Sequence, residues 1–147
     1  MVRHSTWEYE HKYVYGDATY AKWKVRPIVE QMVEGFATNA TKLSDLTENG
    51  KPRLSIHMSG AEYIASFLAV LCGTIIDSMG IPQSSQLLIE HHYIHDNQRH
   101  AFRLLWNGKV ITDRVAGCEL SSDLCDLDVL LHHFKRTETI SKQHSNT

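Results

Sequence analysis

The stretch from Lys51 to Gly73 limits the fold of this chain more than any other. It reads as a short strand at about Arg53–Met58, a tight turn through Gly60, and an apolar helix over Ala61–Cys72 that stops at Gly73. In open α/β sheets, ligands sit outside the carboxyl end of such a strand, where the following helix offers free backbone N–H groups. The turn Met58-Ser59-Gly60-Ala61-Glu62 is therefore the first place to look for chemistry. A carboxyl in the first turn of the helix, Glu62, has the position of a proton donor. The same residues fit the Ser-x-x-Glu capping box, with Ser59 capping the helix and Glu62 reaching back to the Ser59 N–H. The two roles are compatible.

Around this stretch the bulk properties exclude several classes. The longest apolar run, Tyr63 to Ile76, is shorter than the ~20 residues a spanning helix needs. It is also interrupted by Ser66, Cys72, Gly73 and Thr74, so it reads as a buried helix and no membrane span is expected. The start, Met1 to Glu8, has no apolar core of a signal peptide, which alone suggests a cytosolic protein or a piece of something longer. A length of 147 residues fits one domain, and 42% hydrophobic with 22% charged residues is ordinary globular composition. The net charge of −2, with both signs interspersed, provides no basic stripe, so no nucleic-acid partner is expected.

Taken in order, residues 1–16 carry Trp7, Tyr9, Tyr13 and Tyr15 without a clean period and read as irregular. A helical pattern begins at Asp17, and Pro27 is expected to end it and open a second helix bearing Ile28, Val29, Met32, Val33 and Phe36 on one stripe. Asn39 to Gly50 reads as a polar loop containing the glycosylation triplet Asn39-Ala40-Thr41. After the strand, turn and helix already described, strands are expected at Gln86–Ile94 and Ala101–Trp106, joined by a turn at His95–Gln98. Asn107-Gly108 is the strongest short hairpin signal in the chain and leads into Val110-Ile111. A last helix is expected over Asp126–Arg136 with Leu127, Leu130, Leu131 and Phe134 inward, then a polar, disordered tail over 137–147. The fold class is α/β over 17–136, with one βα unit, a run of antiparallel strands and a terminal helix. So small a sheet leaves exposed edges, a route to homo-oligomers, and looks like part of a larger α/β domain.

Metal and nucleophile signals are thin. His91, His92 and His95 cluster in sequence, but on a strand His91 and His95 lie about 13 Å apart and cannot share one ion. Cys118 and Cys125 lack the spacing of a zinc knuckle, and no second pair exists. Arg3-His4 is followed by Ser5, where a phosphohistidine motif would need glycine. Ser-x-x-Lys, Gly-x-Ser-x-Gly, Walker A and Gly-x-Gly-x-x-Gly patterns are absent. No cofactor is expected.

From Val25 to Phe134 the chain resembles the carboxyl-terminal part of the histidine acid phosphatases, the branch containing prostatic and lysosomal acid phosphatases and phytases. The strand, turn and apolar helix ending at Gly73 are similar to that family's strand closing on Ser-Ala/Gly-His-Asp and its following helix. Leu88-Ile89-Glu90 resembles an Ile-Phe-Glu strand, and Arg103-Leu104-Leu105-Trp106-Asn107-Gly108-Lys109 an Arg-Val-Leu-Tyr-Asn-Gly-Lys hairpin. Val115-Ala116-Gly117-Cys118 with Cys125-Asp126-Leu127 resembles Leu-Pro-Gly-Cys … Cys-Pro-Leu. Val25-Arg26-Pro27-Ile28 departs from a family Gly-Gly-x-Leu turn.

The resemblance implies part of the large domain of the phosphoglycerate-mutase-like fold and hydrolysis of phosphomonoesters through a phosphohistidine. It also implies that the nucleophile comes from an Arg-His-Gly-x-Arg segment, which this sequence lacks, and that a late His-Asp pair binds phosphate and protonates the leaving group. The simplest alignment puts Ala61 and Glu62 at that pair; a one-step shift compares Gly60-Ala61-Glu62 with the His-Ala-Glu of inositol polyphosphate phosphatases. Either way the histidine is replaced, and a truncated or degenerate phosphatase, inactive alone, is expected. A phosphomonoester would be its substrate only with the missing segments supplied. The alternative is a non-catalytic binding module. The family is mostly secreted or lysosomal, which fits the Asn39 triplet and implies a Cys118–Cys125 disulfide, leaving Cys72 as a buried free thiol.

Overall fold

The computed structural model describes residues 21–36, 54–73 and 81–135 in full, and the backbone of helical residues 18–20, 37–43 and 136–144. Among these residues the chain is a mixed α/β structure of three helices and a four-stranded antiparallel sheet. The helices are α1 (Ala18–Leu43), α2 (Ala61–Cys72) and α3 (Leu127–His144). The strands are β1 (Leu87–Ile94), β2 (Arg99–Trp106), β3 (Lys109–Val110) and β4 (Cys125–Asp126).

Pro27 does not end a helix. It lies inside the continuous α1, on the exposed side, four residues after the exposed Trp23. A proline there removes one i→i−4 bond and crowds the Trp23 carbonyl, at a cost of ~3 kcal/mol. The opposite face compensates: Ala21, Val25 and Val29, spaced by four, are fully buried. Burial of one large apolar side chain stabilises by about 1.5–3 kcal/mol, so the two valines that flank the proline outweigh it. The helix also runs through the first part of the expected Asn39–Gly50 loop, to Leu43. The irregular segment expected at 1–16 lies outside the described residues.

α2 matches its expected bounds. Gly73 closes it in the left-handed conformation (φ 67°), donating its N–H to Ala69 O at 3.0 Å. The strand expected before it is not formed: residues 54–60 carry neither strand pairing nor helix. Leu54, Ile56 and Met58 are 77%, 75% and 96% exposed, because no neighbouring strand among the described residues takes up their backbone.

The antiparallel part follows the expected course. β1 and β2 pair from Leu87↔Trp106 to Ile94↔Arg99, joined by a 3-10 turn at His95–Asn97 and a left-handed Gln98. Asn107 and Gly108 both adopt positive φ (48° and 79°), as a two-residue primed hairpin turn requires, and deliver β3 against β2. β4 also pairs antiparallel with β2, on the same edge as β3, with Phe102↔Cys125 and Ala101↔Asp126. The core lies between the helices and one sheet face, where Val25, Val29, Leu68, Leu71, Phe102, Leu104, Ile111, Leu130 and Phe134 are buried. In α3 the residues Leu127, Leu130 and Phe134 face inward as expected and Leu131 packs at the margin. The helix itself continues to His144, so most of the expected disordered tail is helical.

Candidate functional site

The turn before α2 is built on Gly60, which is the N-cap of the helix, in extended conformation and without a side-chain cap bond. The expected capping box is therefore not formed: the helix begins one residue after the position that Ser59 would need as N-cap. Glu62 folds back over the turn, so that a Cβ on Gly60 would meet its Oε2 at 2.5 Å. Glycine is required there while the carboxylate keeps this position. The Glu62 side chain is 42% exposed, and Lys24 Nζ stands 4.0 Å from its Oε1. The same ammonium sits 4.8 Å from the centre of the Tyr63 ring. An ion pair this long and this exposed is worth at most ~1 kcal/mol.

Beside it, Trp23, Lys24, Arg26, Pro27, Glu30 and Tyr63 line an open groove between α1 and α2. Its charges are already matched, with Arg26 Nε donating to Glu30 Oε1 at 2.7 Å. Chemically the turn thus offers one carboxylate with a cation at its limit of contact. Among the described residues, His57, the nearest histidine in sequence, lies 3.0 Å from the Ser55 hydroxyl rather than at Glu62.

His91 lies on β1 and His95 in the turn after it. Among the described residues no group of three or more His, Cys, Asp or Glu is placed to hold an ion. The register does bring His91 to a partner that sequence spacing alone did not suggest. His91 opposes Phe102 and Tyr93 opposes His100, so His91 and His100 are diagonal neighbours on the core-facing side. His91 Nε2 and His100 Nδ1 are 2.9 Å apart. Counting pairs outward from the His95–Gln98 turn would have found this contact. Burial, then the neighbouring His100 and His92, hold the His91 ring below its ordinary pKa.

On the other side of the sheet Arg103 Nε donates to Glu90 Oε2 at 2.6 Å, and His92 Nε2 lies 3.0 Å from the same oxygen. The Arg103 bond first, and the His92 contact second, hold the Glu90 carboxyl below its usual range. These residues form a polar patch far in sequence from the Glu62 turn.

Cys118 and Cys125 are joined by a disulfide with Cα atoms 5.5 Å apart. Cys72 is free and half-buried, its thiol pushed up to about 11 chiefly by burial. A neutral thiol of that kind is a poor nucleophile. Asn39 lies in the helical backbone of α1 rather than in the expected loop. Among the described residues no helix is long and apolar enough to cross a membrane. Comparison with protein-family models, with curated proteins and with solved structures matches none of them to this chain.

Proposed function

We propose that this chain is a degenerate, phosphatase-like segment of the histidine acid phosphatase type that does not hydrolyse phosphomonoesters by itself. The observation that carries the reading is the turn before α2. Where the family sets a phosphate-binding His-Asp pair, Ala61 and Glu62 stand, and the cation beside Glu62 is engaged with that carboxylate and the Tyr63 ring. A covalent nucleophile divides one difficult step into two easier ones, and a lone carboxyl cannot replace it. Nor can the turn gather the positive charge that stabilises a transferring phosphoryl group. Support for the family itself comes from the Cys118–Cys125 bridge, the Asn107-Gly108 hairpin and the helix stop at Gly73. A disulfide persists in an oxidising compartment, which favours the secretory pathway. The test is titration of the isotope-labelled chain with inorganic phosphate. The amides of Ser59 to Tyr63 should show no saturable shift through the millimolar range; a saturating shift there that Glu62→Gln removes would contradict the proposal.

One observation favours a second reading, a non-catalytic binding module. Leu54, Ile56 and Met58 alternate along residues that pair with no strand, and all three are exposed. The intervening Ser55 and His57 are hydrogen-bonded to each other, on a common side. An apolar row of this kind suits addition to the edge of a partner's sheet. A module of this sort unfolds cooperatively as an isolated chain, whereas a half-domain that needs its other segments has no sharp transition.

A further inference from the structure

The His91–His100 contact has a geometry that only one proton can occupy. The ring centres are 5.1 Å apart, close to the 2.9 Å nitrogen separation plus two imidazole radii, so the two nitrogens face each other head-on. With both rings neutral, one N–H donates to the bare nitrogen of the other. One added proton keeps the bond as imidazolium to imidazole and strengthens it. A second added proton leaves two N–H groups, each on a cation, pointing at one another with no acceptor between them. At that point the bond is lost and the rings repel.

The pair is also a joint between elements. Phe36 of α1 meets the His91 ring edge-on with centres 5.7 Å apart. Tyr93 lies 5.0 Å from His100 and continues the row to His95 at 4.9 Å. The carboxylate nearest in sequence, Glu90, is on the opposite face of the sheet, bound by Arg103 and His92. On α1 the residue meeting the pair is Phe36, which carries no charge, with Glu34 two positions earlier. Among the described residues, the charges that act on His91 are those of His100 and His92, and both oppose a further positive charge.

We propose that His91 and His100 form a proton-operated latch across β1 and β2 that seats the His91 ring against Phe36 of α1 when the pair holds no more than one added proton, and lets it go when both rings are protonated. Acidification, as at the acidic end of the secretory pathway if the reading proposed above holds, would then loosen the Phe36 end of α1 and the His95–Gln98 turn, while the core around Phe102 and Leu104 stays closed. The direction agrees with His91 as the ring that takes the second proton: its own contribution to stability is complete above the ordinary histidine pKa of ~6.5 and falls as pH drops below it toward the depressed value in the fold.

The test is an NMR pH titration of the full chain, following the imidazole ring signals and hydrogen exchange of the α1 amides around Phe36. The two rings should titrate as a coupled pair in two separated steps. Exchange of those amides, corrected for intrinsic rate, should stay level through the first step and rise several-fold as the second step passes. His100→Phe, which keeps a ring but no proton site, should abolish that rise, and His100→Gln should do so if the larger ring disturbs packing. Independent single-step titration of both rings in the unaltered chain would overturn the proposal, and so would an equal rise in exchange in the variants.

Discussion

Asn107 clasps Gln86 twice: the Gln86 N–H donates to the Asn107 side-chain oxygen at 2.7 Å, and the Asn107 N–H donates to the Gln86 carbonyl at 2.9 Å. The first residue of the hairpin turn thus also closes the open end of the β1–β2 pair. Its backbone is left-handed (φ 48°), a conformation that asparagine tolerates better than most residues. Asn107→Ala loses both the side-chain bond and that tolerance and should lower unfolding free energy by about 1–2 kcal/mol. Asn107→Gly, which keeps the backbone conformation, should lower it by less. Urea denaturation of the two variants checks the order.

The Cys118–Cys125 bridge closes a short loop onto β4, whose Cys125 pairs with the buried Phe102. Loop closure of this length stabilises by about 2–3 kcal/mol. The double substitution Cys118→Ala with Cys125→Ala should cost that much in a denaturant titration. Non-reducing mass spectrometry should find the two linked, and thiol reagents at neutral pH should react slowly with Cys72, whose pKa is raised to about 11.

Glu90 carries a pH dependence of its own. Its carboxyl is held below the ordinary value of 4.5 by Arg103 and then His92, so the stabilisation is present above that value. It is lost as pH falls through the lower value in the fold. Because the pair is partly exposed, the effect should stay under about 1 kcal/mol. Glu90→Gln should flatten the acid side of the stability profile below pH ~4.5 by that amount and leave the region near pH ~6 unchanged, where the histidine pair acts.

Pro27 interrupts the bonding of α1 on its exposed side. Pro27→Ala restores the missing N–H and should raise stability by up to about 3 kcal/mol, less the gain in unfolded-state freedom. Thermal unfolding should show a higher midpoint; a lower one would mean that the proline ring itself packs in the groove with Trp23 and Tyr63.

Local signals were legible where they agreed with tertiary structure. Two residues with positive φ announce themselves as Asn-Gly, and the helix ending in Gly73 has both its apolar content and its stop signal in sequence. Pro27 misleads because its penalty is local, whereas the burial of Val25 and Val29 that offsets it depends on α2 and α3. The Leu54–Met58 segment misleads in the opposite way: its residues suit a strand, but a strand exists only with a neighbour. At the candidate site, Glu62 was visible and its companion Lys24 was not, since they meet only through the packing of α1 on α2. The His91–His100 contact required the register of the hairpin, and not merely the presence of two strands.

If the Glu62 turn does not support phosphoryl transfer, the chain turns over no phosphomonoester. The full chain, with its disulfide intact, is assayed with p-nitrophenyl phosphate at acid pH beside the Glu62→Gln variant. Neither protein should release nitrophenol above the buffer rate. Turnover by the unaltered chain that Glu62→Gln abolishes would contradict it.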